Sequence, residues 1–361
     1  MKIGVNSRIF REERGGISHY IESLYGELLK LDKKNDYVFF QPGEERKIGD
    51  TRIIKTPGGK MTGAFLFDNF LVSNLIKKEK INIFHGPSNI LPISGKGGTK
   101  YILTVHDLAF LKVPQTCSLL YKNYYKLNLR RSLKKADIIL ADSKSTKNDI
   151  MELYKLKESK IKVVYLGVDN AFWETKRKKR MVKGKYFFTV ATHPKRKNIS
   201  GVLKAFAHNN HLKGFKYVIA GTIFDEEYRK ELNEIIEKLE LSEKVITLGY
   251  VKEEDLINLY QNAEFFIHPS LYEGFGFPVL EAMVSNCPVI ISNNSSLPEL
   301  APSQKWLVDP HNIEDIKNKM EKMIGLSKKE KDKLIKENYA FAKKFTWRDT
   351  ALKMIDIFNN L

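Results

Sequence analysis

The sequence predicts an α/β protein of two doubly wound domains of similar size with a cleft between them. Three observations carry this. Short apolar runs alternate with amphipathic stretches from end to end, the pattern of buried parallel strands joined by crossover helices. The alternation breaks once, at the charged stretch 174–185 (ETKRKKRMVKGK), and then restarts. A length of 361 residues suits two domains of ordinary size.

In the first half, Met1–Asn6 reads as a strand and Ile17–Leu31 as a helix, with Ile17, Ile21, Leu24, Leu28 and Leu29 at helical spacing. Ile81–Phe84, Tyr101–Val105 and Asp137–Ala141 read as strands, Phe65–Lys78 and Leu119–Lys134 as helices, and Asp142–Ser145 as a helix cap after a strand. In the second half, strands fit Tyr186–Val190, Phe215–Ala220, Lys244–Leu248, Ala263–His268 and Pro288–Ser292. Helices fit Ile199–Phe206, Glu226–Leu239, Glu254–Tyr260 and Phe277–Ser285, and the tail Ile313–Leu361 is mostly helical.

Composition narrows the function classes. Hydrophobic residues at 42% and charged residues at 29% fit a globular chain with a large core rather than a disordered or fibrous one. The two cysteines, Cys117 and Cys287, make neither a disulfide framework nor a four-ligand zinc site, which points to a reducing compartment. Arg8, Arg11, Glu12, Glu13 and Arg14 stand where a secretory signal needs an apolar core, and no run is long enough to cross a membrane. The expected location is cytoplasmic, including the inner face of the cytoplasmic membrane. Residues 1–180 hold 35 basic and 19 acidic residues, against 26 and 24 in 181–361. A one-sided basic surface suits an anionic partner such as a membrane surface, a lipid phosphate or a nucleic acid; a solvated lysine-rich face produces the same excess.

The stretch 268–283 (HPSLYEGFGFPVLEAM) carries the chemistry. It reads as a strand end, a glycine-bearing loop and a helix start. Pro278 suits the first helical turn, and Gly274 and Gly276 let the backbone approach a ligand. Amide donors at a helix N-terminus favour a negative group, and the carboxyl end of a parallel strand is where such sheets bind ligands. Glu273, in the loop, and Glu281, read as lying in the first helical turn, can both face one site. Carboxylates bind vicinal diols, so one could hold a ribose and the other a sugar ring. The structural alternative is that Glu281 complements the helix dipole and Glu273 caps the loop.

This stretch, followed by PVIISN (288–293) and SLPEL (296–300), resembles the E-x7-E motif of retaining GT-B glycosyltransferases of family 4, the group 1 glycosyltransferases. The resemblance covers most of the chain and is strongest over 186–310. It implies the GT-B fold, two Rossmann-like domains facing across a cleft: an acceptor-side domain 1–175, a donor-binding domain 176–345, and a final helix 346–361 that packs back on the first. It also implies that Glu273 contacts the donor sugar, that Glu281 holds the ribose, and that the backbone of Gly274, Phe275 and Gly276 lines sugar and diphosphate.

The stretch 189–198 (TVATHPKRKN) concentrates cations where a leaving diphosphate gains charge. The family's R-K-N pattern maps onto Arg196, Lys197 and Asn198. The common alternative arginine position is Ala191 here, which leaves open which of Lys195, Arg196 and Lys197 meets the phosphates. Gly15 and Gly16 match the first domain's glycine loop over the donor phosphates; alone they read as a turn before a helix. His106, in Thr104–Leu108, matches the family's HD pair near the donor sugar, with Asp107 beside it; a structural histidine is the alternative. His85 is a candidate acceptor-side residue, Tyr250 or the Val251 backbone a candidate nucleobase contact, and Trp347 reads as structural.

No D-x-D, H-E-x-x-H or cysteine ligand set occurs. The expectation is metal-independent transfer of a hexosyl unit, without cofactor, from a UDP- or GDP-linked sugar to a glycan or lipid-linked acceptor hydroxyl, in cell-surface polysaccharide or glycolipid synthesis. The resemblance implies retention; with no carboxylate clearly placed as a nucleophile, front-face attack with the leaving phosphate as base is the expected route, and domain closure should exclude water. The rivals are a non-transferring GT-B enzyme, an epimerase or phosphorylase, and a nucleic-acid-binding protein. The short chain disfavours the phosphorylase, and the lack of any nucleic-acid module disfavours the last, so no nucleic acid is expected as partner.

Overall fold

The computed structural model describes residues 1–10, 15–42, 47–56, 71–94, 97–174, 179–191, 195–223 and 225–361. Arg11, Glu12, Glu13 and Arg14, residues 65–70 of the expected helix 65–78, and residues 175–178 of the charged stretch lie outside the described residues. The chain divides into two compact units. The first is Met1–Gly167 with Phe345–Leu361, and the second is Val168–Lys344.

The first unit is built on a seven-stranded parallel sheet: β1 (Lys2–Asn6), β2 (Asp36–Pro42), β3 (Arg52–Thr56), β4 (Ile83–Gly86), β5 (Lys100–Val105), β6 (Ile138–Ala141) and β7 (Ile161–Val163), in the order β3-β2-β1-β4-β5-β6-β7. The winding starts in the middle and reverses between β1 and β4, which leaves a crevice at their carboxyl ends. β1 is buried from Ile3 to Asn6 and β4 throughout, as strands covered on both faces must be. The helix Gly16–Leu31 buries Tyr20, Ile21, Leu24, Tyr25 and Leu28; of the five positions its spacing picks out, Ile21, Leu24 and Leu28 are buried and Ile17 and Leu29 are half-buried. The sequence reading omits β2, β3 and β7. β3 is an edge strand of five residues and β7 has three, too short for period-2 alternation to register.

The second unit repeats the plan with β8 (Lys185–Val190), β9 (Phe215–Ala220), β10 (Val245–Gly249), β11 (Phe266–His268), β12 (Val289–Ser292) and β13 (Leu307–Val308). Their order is β10-β9-β8-β11-β12-β13, again all parallel, and it reverses between β8 and β11. Phe187 stacks between Tyr217 and Phe265 with centroids 4.9 and 5.0 Å away, inside a core closed by Ile199, Val202, Phe206 and Ile316.

The sequence reading places the domain boundary at 175/176, in the charged stretch, but the units divide at 167/168. The reason is packing. The helix Asn170–Glu174 sends Phe172 onto Tyr260 and Trp173 onto Tyr339, with ring centroids 6.2 and 5.6 Å apart, so this segment already belongs to the second core. The chain re-enters the first unit at Phe345, and the helix Trp347–Asn359 packs on Gly16–Leu31. Trp347 is buried against His19 and Tyr20, at 5.9 and 6.2 Å. Thr350 Oγ1 donates to the Tyr165 carbonyl at 2.9 Å, and a Cβ on Gly167 would overlap the Trp347 backbone nitrogen. Trp347 is thus a structural residue, as read from sequence. Among the described residues no helix is long and apolar enough to cross a membrane.

Candidate active site

A parallel sheet puts every strand's carboxyl end on one edge, so the loops leaving β8, β10, β11 and β12 lie along one rim of the second unit. Two of them are stitched together. The Arg196 carbonyl accepts from the Leu271 amide at 2.8 Å, and Ser270 Oγ lies 2.9 Å from it. Asn198, left-handed at φ +56°, turns the first loop into the helix Ile199–Ala207 and ties its own Nδ2 to the Pro310 carbonyl at 2.7 Å. Asparagine tolerates that backbone better than most side chains. Thr192, His193 and Pro194 lie outside the described residues.

The stitching brings Arg196 and Lys197 onto Glu273. Lys197 Nζ donates to Glu273 Oε1 at 2.6 Å, with both side chains buried. Ser270 Oγ donates to the same oxygen at 2.6 Å, and His268 Nε2 lies 3.2 Å from it. Oε2 faces Arg196 Nη2 at 3.9 Å. The carboxylate is therefore gripped by one oxygen and presents the other toward a guanidinium. Burial opposes ionisation of Glu273, but the Lys197 and Arg196 cations and the His268 hydrogen bond outweigh it and hold its pKa well below the ordinary carboxylate value. His268, fully buried at the end of β11, is pushed down to about 4 by burial and by Lys197, so the imidazole is neutral. Lys195, the third cation of this stretch, turns instead to Asp225 at 3.1 Å.

The loop 269–276 owes its shape to the residues after β12. Ser292 Oγ donates to the Ser270 carbonyl at 2.6 Å, Asn294 Nδ2 to the Leu271 carbonyl at 3.0 Å, and Ser296 Oγ to the Phe275 carbonyl at 2.8 Å. Ser295 Oγ accepts from the Glu273 amide at 2.9 Å. Phe275 packs edge-on against Phe277 with its side chain buried, and Gly274 is buried in the same loop. Gly276 caps the helix Phe277–Val284 at φ +116°, and a Cβ there would come within 2.7 Å of Leu297 Cδ2. Gly276→Ala is expected to destabilise the fold by about 2 kcal/mol, read as a lowered urea midpoint, because it adds backbone strain to that clash.

Glu281 is the fifth residue of that helix, in its second turn rather than its first, so the helix dipole does not explain it. It is half-buried, and it accepts from Tyr260 Oη at 3.0 Å, a contact from the helix Glu253–Asn262. Burial, with Asp169 and Glu253 nearby, pushes its pKa up to about 8 against the pull of the Tyr260 hydrogen bond. Val251 is half-buried just past β10, where Gly249 turns at φ +65°, and Tyr250 is 70% exposed.

In the first unit, Gly15 and Gly16 open the helix Gly16–Leu31. Both are exposed with extended or helical backbone, and an added Cβ at either would meet no atom within 4 Å. Neither glycine is required by the backbone, so what these positions offer is open space. His106 leaves β5 and is held at both ring nitrogens: Nδ1 is 2.6 Å from Asp142 Oδ2, and Nε2 is 2.7 Å from the Pro87 carbonyl. Both partners accept. Burial opposes the charge, but Asp142 and the Pro87 carbonyl raise the His106 pKa, which favours an imidazolium. Tyr20 meets its ring edge-on at 4.8 Å. Asp107 accepts from the Ala109 amide at 3.0 Å. His85 corrects an expectation. It is fully buried between Tyr25 Oη, at 2.6 Å, and Thr104 Oγ1, at 2.7 Å, and burial pushes it down to about 3, so it is a core histidine and no acceptor contact.

His268, Ser270, Tyr260 and Asp142 were not singled out from the sequence. A polar residue closing an apolar strand, as His268 does in Phe266–His268, was the available signal; the other three are visible only once the chain folds. Among the described residues no three His, Cys, Asp or Glu side chains gather as a metal site.

Two family profiles match the chain, Glycosyltransferase Family 4 over residues 14–172 and Glycosyl transferases group 1 over residues 171–341. The chain belongs to the group 1, family 4 glycosyltransferases. It is similar to the O-antigen chain mannosyltransferase B of Escherichia coli, 26% identical over 79% of this chain and 76% of that one. The O-antigen chain mannosyltransferase RfbU of Salmonella typhimurium is 31% identical over 58% of this chain, which spans only 56% of that protein's length. Among solved structures, sucrose-phosphate synthase from Thermosynechococcus elongatus matches with TM-score 0.80 at 16% identity, over 100% of this chain and 98% of that one. Anabaena Alr3699/HepE in complex with UDP-glucose matches with TM-score 0.77 at 15% identity, each chain covered in full. These likenesses confirm the GT-B fold.

Proposed function

We propose that this glycosyltransferase moves a hexosyl unit from a nucleotide sugar to an acceptor hydroxyl, with retention and without metal, in the synthesis of a cell-surface polysaccharide or glycolipid. The observation that carries the reading is the buried Lys197–Glu273 pair with the half-buried Arg196 beside it, at the reversal point of the second sheet. Its two cations suit a departing diphosphate, and Lys195, drawn off to Asp225, is left out of that role. Glu281, beside the helix start, suits a ribose diol. The O-antigen mannosyltransferase names of the relatives favour mannose as the hexose and a glycan or lipid-linked acceptor, and a neighbour of the same fold holds UDP-glucose.

In the proposed step, the bond between the sugar C1 and the diphosphate oxygen breaks and C1 bonds to the acceptor oxygen. The acceptor proton passes to the leaving phosphate on the same face. A carboxylate held far below its usual pKa by two cations is a weak nucleophile, which favours this route over a glycosyl-enzyme on Glu273. His106, with both nitrogens engaged by protein, would act as a fixed positive charge rather than a proton carrier. The GT-B fold and the basic first unit favour work at the inner face of a membrane.

The test is a thermal-shift series over GDP- and UDP-linked hexoses. One donor, expected to be a mannose nucleotide, should raise the unfolding temperature; a ligand at a hundred times its Kd adds about 2.7 kcal/mol. Transfer in the presence of EDTA and NMR of the new anomeric centre then check metal independence and retention. A flat series, or an inverted product, overturns the corresponding part.

A further inference from the structure

The helix Leu119–Lys135 (LLYKNYYKLNLRRSLKK) of the first unit faces solvent with the wrong residues for a solvated surface. One side packs inward through Tyr125, Leu129 and Leu133. On the other, Leu119, Leu120 and Leu127 are 70, 75 and 72% exposed, the most exposed leucines among the described residues. Leu120 and Leu127 are seven positions apart, so they project from one side of the helix, two turns apart. Lys126, Arg130 and Lys134, also exposed, recur every four residues along the same outer face. The helix holds six basic residues and no acidic one, and the unit that carries it has 32 basic against 19 acidic residues.

Single exposed leucines are ordinary, but three on one helix beside a row of cations are not. We propose that this face docks on an anionic lipid bilayer, with the leucines entering the headgroup–acyl boundary and Lys126, Arg130 and Lys134 meeting lipid phosphates. The charge decides the occupant. A second copy of this chain would bring two cationic rows together, whereas an anionic bilayer meets both the charge and the apolar side chains at one depth. The inference names the element through which the membrane partner suggested above would act. It does not depend on the donor assignment, because vesicle binding and nucleotide-sugar binding are measured separately.

The test uses the full chain with vesicles of phosphatidylcholine, with and without phosphatidylglycerol, in flotation assays. Wild type is expected to float with the anionic vesicles, stay behind with the neutral ones, and release as salt rises. A Leu119→Ser/Leu120→Ser/Leu127→Ser variant should bind at least about tenfold more weakly, with unchanged circular dichroism and unchanged thermal shift by the donor. Lys126→Gln/Arg130→Gln should also bind more weakly and lose much of the salt dependence. Equal binding to both vesicle types, or binding indifferent to the leucine changes, overturns the proposal. So does a leucine-dependent dimer in sedimentation, which would assign the face to a second copy.

Discussion

Glu273→Gln is expected to lower transfer by a factor of about 10² to 10³ while also destabilising the fold by about 3 kcal/mol. Both effects have one cause. Lys197 is buried with its ammonium 2.6 Å from Oε1, so an amide of the same shape takes that negative charge away from a buried cation beside the neutral His268. Arg196, 3.9 Å from Oε2, loses that carboxylate too. The two consequences can be separated. Glu273→Leu combined with Lys197→Met removes the pair as a unit, and replacing a buried pair by apolar residues of similar size is often neutral. The double variant should recover most of the lost urea midpoint and recover no transfer. If it regained transfer, or if Glu273→Gln alone kept kcat/KM within tenfold of wild type, the pair would be a structural device and the donor assignment would fall. Trapping of a glycosyl-enzyme on Glu273 would instead overturn the front-face step.

The same cluster marks where sequence reading stops. The βα alternation was legible because buried parallel strands are continuous apolar runs; Phe215–Ala220 was read with its observed ends. The pairing inside the site was not. Lys197 and Glu273 are 76 positions apart and His106 and Asp142 are 36, and each of these pairs meets only because strands of one sheet end on one rim, whereas Tyr260 and Glu281, 21 apart, meet between two helices. Spacing therefore identified candidates without assigning partners. It named His106 without the aspartate that raises its pKa, and it put Glu281 one turn too early. His85 misled for the opposite reason, since a histidine closing a strand looks the same in sequence whether that strand end reaches solvent or, as here, Tyr25 and Thr104. The division at 167/168 was hidden because a charge run is conspicuous, whereas Phe172 and Trp173 finding Tyr260 and Tyr339 is not.

Donor affinity is expected to depend on pH through Glu281. The group titrates at about 8 in the folded chain against an ordinary value of 4.5, so it is largely protonated at neutral pH. The stability it contributes is full below about pH 4.5 and is lost as pH rises through 8. A ribose diol donates two hydrogens best to an ionised carboxylate, so binding through Glu281 must expel that proton. The diphosphate of a nucleotide sugar is a diester with no ionisation near neutrality and adds no proton of its own. Affinity should therefore rise about tenfold per pH unit below 8 and level off above it. The groups facing Glu281 set the midpoint: Asp169 and Glu253 raise it, while Tyr260 and the more distant Lys197 lower it. Tyr260→Phe removes the hydroxyl that donates to Oε2, so the midpoint should move above 8 with little change in the high-pH plateau. Glu281→Gln should flatten the profile at the weak, low-pH level. Titration calorimetry in buffers of different ionisation enthalpy checks this by counting the proton released. A wild-type affinity that stays constant from about pH 6 to about pH 9, with no proton released, would place the ribose away from Glu281 and leave that carboxyl as a half-buried acid serving Tyr260.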